Sequence, residues 1–205
     1  MVFGFKKSKL DGNENIFSAP SQMSLPEAFS LKNYLPKVMD QGSNPTCVPC
    51  SLSANINWKL NLEHGDNKID NKIKIFEIFD PYGDEYGMTF KDAFSHLKNE
   101  GVSTTEGNFK IKRYAMIKSG LALKYAIYAN GPCVGALPVY DTYSNKFWDK
   151  NRGEFLGGHA IAIVGWDNEG FIIRNSWGTS YGDKGYAVIP YEEINRFYEI
   201  WTVID

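Results

Sequence analysis

Gly158-His159-Ala160-Ile161-Ala162-Ile163-Val164-Gly165-Trp166, followed shortly by Arg174-Asn175-Ser176-Trp177-Gly178, is the stretch whose reading decides the fold. A continuous apolar run between turn signals reads as a buried strand. Phe171 to Arg174, beyond the polar Asp167 to Gly170, reads as its hairpin partner. A histidine then heads one strand and an asparagine ends the next. With Asp167 to Gly170 as the turn, Trp166 faces Phe171 and Asn175 faces Ala162, three residues short of His159. At ~3.4 Å per residue the gap is about 10 Å, so a bulge or shear is needed to join the two side chains.

Outward from this hairpin, Cys133 to Val139 and Tyr186 to Ile189 have the same strand texture. Upstream the pattern is helical. Leu52, Ile56 and Leu60 recur every four residues, which predicts a helix of about 17 residues from near Cys47 to Gly65, with Thr46 as N-cap and Pro49 tolerated in the first turn. Met88 to Asn99 and Tyr114 to Ala129 are further predicted helices, closed by Gly101 and by Asn130-Gly131-Pro132. Residues 1–24 show no sustained period and read as an N-terminal arm. The expected organisation is α+β: one domain over 25–205 with a helical lobe at about 40–130, a β-rich lobe at about 131–205, and a cleft between.

The composition excludes several function classes. With 43% hydrophobic and 22% charged residues over 205 positions, the chain can bury a full core. A net charge of −2 gives no electrostatic reason to expect nucleic acid or an anionic membrane as partner. Three cysteines make no secretory disulfide framework, and the first residues lack the apolar run of a signal peptide. The expected location is the cytoplasm, or a phage particle in a bacterial host, because 18 of the 22 basic residues are lysine and the genome behind such a chain is rich in A and T.

Cys47 at a helix start, His159 and Asn175 form an ordered Cys, His, Asn set. A helix N-terminus and a neighbouring imidazolium both lower a thiol pKa, and only the thiolate is a useful nucleophile. His159 would serve as base and then acid, with Asn175 orienting its ring through the other nitrogen. Asp40-Gln41-Gly42 before Cys47, the Gly158 to Trp166 run, Arg174 to Gly178, and Tyr181-Gly182-Asp183-Lys184-Gly185-Tyr186 together resemble the papain family of cysteine peptidases. The resemblance implies a helical left lobe, a β-barrel-like right lobe, and a catalytic cleft between them. It further implies hydrolysis of peptide bonds through a Cys47 acyl-enzyme without metal or organic cofactor. Gln41 would match the family's side-chain donor to the oxyanion, and Trp177 would shield the His159 to Asn175 contact from water.

Around the nucleophile the family's local pattern is kept only at the cysteine itself: Asn44-Pro45-Thr46-Cys47-Val48 stands where Cys-Gly-(Ser/Ala)-Cys-(Trp/Tyr) is usual. His159 and Asn175 follow Cys47 by 112 and 128 residues, so the loops are short. No inhibitory propeptide is evident. Residues 1–20 are expected to dock on a protein partner or assembly, and the expected substrate is a peptide or protein, with Gly158 and Trp177 lining its site. Alternatives are an acyl transferase using the same thioester, a non-catalytic papain-like scaffold such as a phage virion component, and a redox protein built on Cys47-Val48-Pro49-Cys50. Cys50 is a redox-partner candidate or a small core residue. Cys133 reads as core, and His64 and His96 as surface residues.

Overall fold

The computed structural model describes residues 3–20, 24–65, 73–142, 145–151 and 153–204. The helix predicted from Cys47 is α1 (Cys47–His64), closed by Gly65 in the left-handed conformation at φ 61°. Thr46 stands at its N-cap position but makes no side-chain cap bond. Instead its Oγ1 accepts from the Cys50 thiol at 3.7 Å. α1 lies between two cores: Ala54 faces one, and Leu52, Ile56 and Leu60 the other. Several polar side chains of this buried helix bond to carbonyls nearby. Ser51 and Ser53 donate to the carbonyls of Val48 and Cys50, and Asn57 to that of Ser53. Asn55 reaches further and donates to the Pro132 carbonyl at 2.9 Å, fastening α1 to the start of the β-rich half.

A short helix, α2 (Ile75–Phe79), precedes α3 (Phe90–Asn99), where Thr89 caps by accepting from the Asp92 amide. His96 on α3 is 7% exposed and packs edge-on against Tyr82, so its expected surface position is wrong. The helical period around it misleads because the segment 80–88 folds over that face. His64 has a side chain outside the described set.

The predicted helix from Tyr114 to Ala129 divides into a strand, β4 (Arg113–Met116), and a helix, α4 (Gly120–Asn130). Ser119 caps α4 by accepting from the Ala122 amide, and that cap fixes the break. Strands β5 (Cys133–Tyr140), β6 (Phe155–Trp166), β7 (Gly170–Arg174), β8 (Tyr186–Pro190) and β9 (Glu199–Ile204) complete an antiparallel path β4-β9-β5-β6-β7-β8. Two-residue β1 (Phe29–Ser30) pairs with β6 as a seventh strand, and β2 (Val102–Thr104) with β3 (Gly107–Phe109) forms a separate hairpin. The large sheet is open along this path among the described residues, so "barrel-like" describes it only loosely.

The two lobes do not divide at residue 130. Ala122, Leu123, Ala126 and Ile127 of α4 share a core with Leu137, Ile163 and Trp166 of the sheet. Leu52, Phe94 and Leu97 of the helical half pack with Met116 of β4 and Trp201 of β9. Propensity places α4 with the helices; its apolar face places it on the sheet. No helix among the described residues is long and apolar enough to cross a membrane.

Gly131, between α4 and β5, tests the junction. Its φ is 85°, and a Cβ there would sit 2.2 Å from the Trp58 ring on α1. Gly131→Ala combines backbone strain with overpacking and should cost about 3 kcal/mol, read as a lower denaturant midpoint at unchanged m-value.

Candidate active site

His159 lies inside β6 rather than at its head, and it sits opposite Leu137 of β5. The β6–β7 hairpin starts as predicted, with Trp166 opposite Phe171 and Gly165 opposite Ile172. The register then shifts at Val164, so that Ile163 faces Ile173 and Ala162 faces Arg174. This one-residue bulge supplies the shear that the sequence lacks. Side chains alternate along a strand, and directly opposed residues share a face. Without the bulge Asn175 would follow Ala162, on the face away from His159. With it, Asn175 continues opposite Ile161, on the His159 face. His159 Nε2 and Asn175 Oδ1 are 2.7 Å apart.

The proton on that ring can be placed. Asn175 Oδ1 also accepts from the Ser176 amide at 2.8 Å, so the oxygen of the amide faces the ring and Nε2 is the donor. Nδ1 is then the unprotonated nitrogen, and it is buried without a hydrogen-bond partner. Trp177 stacks on the imidazole at 4.6 Å between centroids and 27° between planes, with Phe147 edge-on at 5.6 Å. These aromatics close the His159 to Asn175 contact.

Cys47 opens α1, and Gln41 lies in the loop before it. Two crossings tie that loop to the segment after Asn175: the Gln41 amide donates to the Ser176 carbonyl at 2.9 Å, and the Gly178 amide to that of Met39 at 3.0 Å. Ser176 Oγ donates to Gln41 Oε1 at 2.6 Å, and Gln41 Nε2 donates to the Asn44 carbonyl at 2.9 Å. Arg174 adds a third tie through the Lys37 carbonyl and the Tyr186 hydroxyl. These ties hold Gln41 and the loop before Cys47 against the segment Asn175 to Gly178, and the Cys47 sulfur meets the amide of Ala160, the residue after His159. Cys50 is oriented to Thr46, away from the Gly4 and Ala160 amides that surround the Cys47 sulfur. All three cysteines are free, and Cys133 is fully buried in β5.

The arm is the feature that the sequence did not disclose. Phe3, Gly4 and Phe5 run along the cleft of their own chain. The Phe5 amide donates to the Gly158 carbonyl at 3.3 Å, the Met88 amide to the Gly4 carbonyl at 3.1 Å, and the Lys6 amide to the Met88 carbonyl at 3.0 Å. Phe3 lies over His159 and Trp177 at 6.5 and 6.3 Å. Phe5, 7% exposed, packs on Phe90 and Tyr198. Further on, Ser8 donates to Glu199, and Asn15 and Phe17 bridge to Met116. Residues 3–20, within the segment expected to dock on a protein partner, pack instead on their own chain. An extended chain gains ~3.3 Å per residue, so a handful of residues crosses a cleft by borrowing backbone bonds from both walls.

Under this cover Cys47 and His159 are 0% exposed. Burial pushes the Cys47 thiol up to about 11, against the opposing pull of the Ala160, Gly4, Val48 and Cys47 amides. Burial likewise pushes His159 down to about 4, with the Asn175 bond opposing. Desolvation thus outweighs the helix terminus, and at neutral pH both groups are uncharged while the arm is seated.

The chain matches the model of the papain family of cysteine proteases over residues 70–200, a segment that includes His159 and Asn175 and begins after Cys47. The chain belongs to the papain family. It is 36% identical over 99 residues to a gut-specific cysteine proteinase of Caenorhabditis elegans, a match covering 43% of this chain and 30% of that protein. A cathepsin B-like cysteine proteinase of the same organism is 37% identical over 79 residues, covering 35% and 21%. The matched part is thus under a third of those relatives' own length. Among solved structures, xylellain, a cysteine protease of Xylella fastidiosa, superposes with TM-score 0.81 at 21% identity over 98% of this chain and 95% of that one. A procathepsin B of Trypanosoma congolense gives 0.79 at 18% identity over 99% and 86%. Their likeness establishes the papain-like fold. The residues around His159 and Gln41 to which sequence reading gave no role in this papain-family chain are Phe3, Gly4, Phe5, Phe147 and Ser176. Two aromatics flanking a glycine in an otherwise polar arm were the available signal for the first three.

Proposed function

We propose that the protein is a cysteine peptidase held latent by its own N-terminal arm. The observation that carries this reading is the bond from His159 Nε2 to Asn175, which leaves Nδ1 as an unpartnered base in the cleft entered by Cys47. Once the arm lifts, water and an entering peptide replace Phe3 and Phe5, and the Cys47 proton passes to Nδ1. The thiolate attacks the scissile carbonyl. The resulting oxyanion lies between the Cys47 amide and Gln41, whose side chain is held by Ser176. The imidazolium returns its proton to the leaving amine, and water, deprotonated by the same nitrogen, hydrolyses the thioester. Trp177 keeps bulk water from the contact that orients the ring.

A peptide-like irreversible thiol reagent, followed by peptide mapping, tests the proposal. It should attach to Cys47, and to Cys50 and Cys133 far more slowly, and hydrolysis of a fluorogenic peptide should fall with the labelled fraction. Equal labelling of the three thiols in the folded protein would remove the nucleophile from the proposal. Aminolysis outpacing hydrolysis in the presence of an amine acceptor would make the enzyme a transferase. A labelled but hydrolytically silent Cys47 would leave a scaffold.

The depressed His159 pKa gives the latency a pH dependence. An exposed imidazole takes its proton near 6.5, whereas the covered one refuses it until about 4. Between those values the opened state binds the proton that the closed state excludes. The His159 contribution to closure is therefore full above about 6.5 and is lost, by up to about 3 kcal/mol, as pH falls towards 4, while the raised Cys47 thiol weakens closure only as pH rises above about 9. Hydrogen exchange should show falling protection factors for the Phe5 and Lys6 amides from pH 6.5 to 5, while Ile161 and Ile163 in β6 stay protected. Unchanged arm protection would disconnect His159 from the arm.

A further inference from the structure

The arm also shows what kind of peptide the cleft accepts, an inference that rests on the peptidase reading. Phe3 lies over His159, the group that protonates the leaving amine, so the leaving-group side of the cleft is the side of Phe3. Phe5 therefore occupies the acyl side, one residue from the Gly4 that meets Cys47. The next residue outward, Lys6, places Nζ 2.5 Å from Asp84 Oδ2. That carboxylate is also held by its own turn. Its Oδ1 accepts from the Tyr86 amide at 2.8 Å, and its backbone exchanges two hydrogen bonds with Gly87 in the turn leading to Met88. Lys7 follows, with Nζ 3.9 Å from the centre of the Tyr198 ring that stacks on Phe5. Lys6 holds the Asp84 carboxyl below its ordinary value.

We infer that Asp84 is a specificity-determining residue. It selects a lysine or arginine in the substrate residue that adjoins the aromatic one, on the side remote from the scissile bond. Read outward from Cys47, the arm offers glycine, aromatic, lysine. A substrate meeting the same three positions from its acyl end reads Lys-Phe-Gly before the cleaved bond. The Asp84 side chain is about half exposed, so the preference is screened by water and salt and is moderate in size.

The experiment uses the full-length chain carrying Gly4→Ala, which dislodges the arm, and compares fluorogenic Lys-Phe-Gly and Glu-Phe-Gly amides. At low ionic strength kcat/KM should favour the lysine peptide by about 10-fold, mainly through KM. The ratio should fall below about 2-fold at 1 M salt and in Asp84→Asn, and invert in Asp84→Lys. An equal preference in Asp84→Asn and its parent would overturn the assignment. A second readout is the concentration of each peptide that protects Cys47 from labelling. Protection ordered by Asp84 without turnover would keep the subsite and sink the peptidase reading. Turnover and protection both indifferent to charge would sink the subsite alone.

Discussion

Adding one methyl group at Gly4 should accelerate labelling of Cys47 by about 30-fold. A Cβ at that position would stand 2.1 Å from the Pro45 carbonyl oxygen and 2.5 Å from Pro45 Cα. These are backbone atoms immediately before α1, and they have no room to yield. The arm must lift instead. As it does, Phe5 leaves its place on Phe90 and Tyr198, which costs about 2 kcal/mol of apolar burial, equivalent to a factor of about 30 in the closed-to-open ratio. Neither the nucleophile nor its base is altered, so the gain must come from access. Labelling kinetics with the peptide-like thiol reagent, together with tryptic susceptibility at Lys6, Lys7 and Lys9, would check it. A Gly4→Ala chain labelled no faster than its parent would mean that the seated arm does not limit access.

Removing the base should have the larger effect on turnover. In the arm-displaced chain, His159→Ala should lower kcat by about 10³- to 10⁴-fold, since no other group near Cys47 accepts its proton. Asn175→Ala should cost activity less, about 10- to 100-fold, because the imidazole remains but loses the bond that keeps the proton on Nε2. Stability should not follow activity. Each side chain buries one nitrogen with no partner, so each loss relieves one unsatisfied group, and His159→Ala leaves the larger cavity. Asn175→Ala strands the Ser176 amide and should cost about 1–3 kcal/mol. Steady-state kinetics and denaturant unfolding of the two variants separate these orders. Equal kinetic losses would make His159 a structural residue.

The strands flanking the site were legible because their apolar runs are continuous and punctuated: Gly131-Pro132 opens one, and Asp167 to Gly170 turns another. The α1 helix was legible by its four-residue period and its closing glycine. Other features depend on contacts that no local pattern encodes. Met116 has helical spacing with Leu123, seven residues on, yet β4 forms because β9, almost ninety residues away, offers it an edge. His96 is covered by a loop, not by its own helix. Phe147 reaches the imidazole from a stretch without periodicity. Seating the arm required knowing that Gly87 and Gly4 pass within one Cβ of each other, where a methyl on Gly87 would meet the Gly4 carbonyl oxygen at 1.7 Å. For the catalytic set, chemistry and order were readable, while the bond between His159 and Asn175 was not, since it rests on a register shift.

That shift turns catalytic competence into a matter of parity. Between His159 and the hairpin turn, the number of residues must stay odd or even as it now is, because one residue more or fewer rotates Asn175 to the opposite side of the sheet. Mutations that change size or polarity along Ile161 to Gly165 can be absorbed gradually, but a change in count cannot. The turn at 167–169 carries no such constraint, since residues added there lengthen the loop without renumbering the pairs behind it. Variation in this hairpin is therefore free in length at its tip and rigid at its root. Val164, the one position left out of the β6–β7 pairing, is where that count is kept.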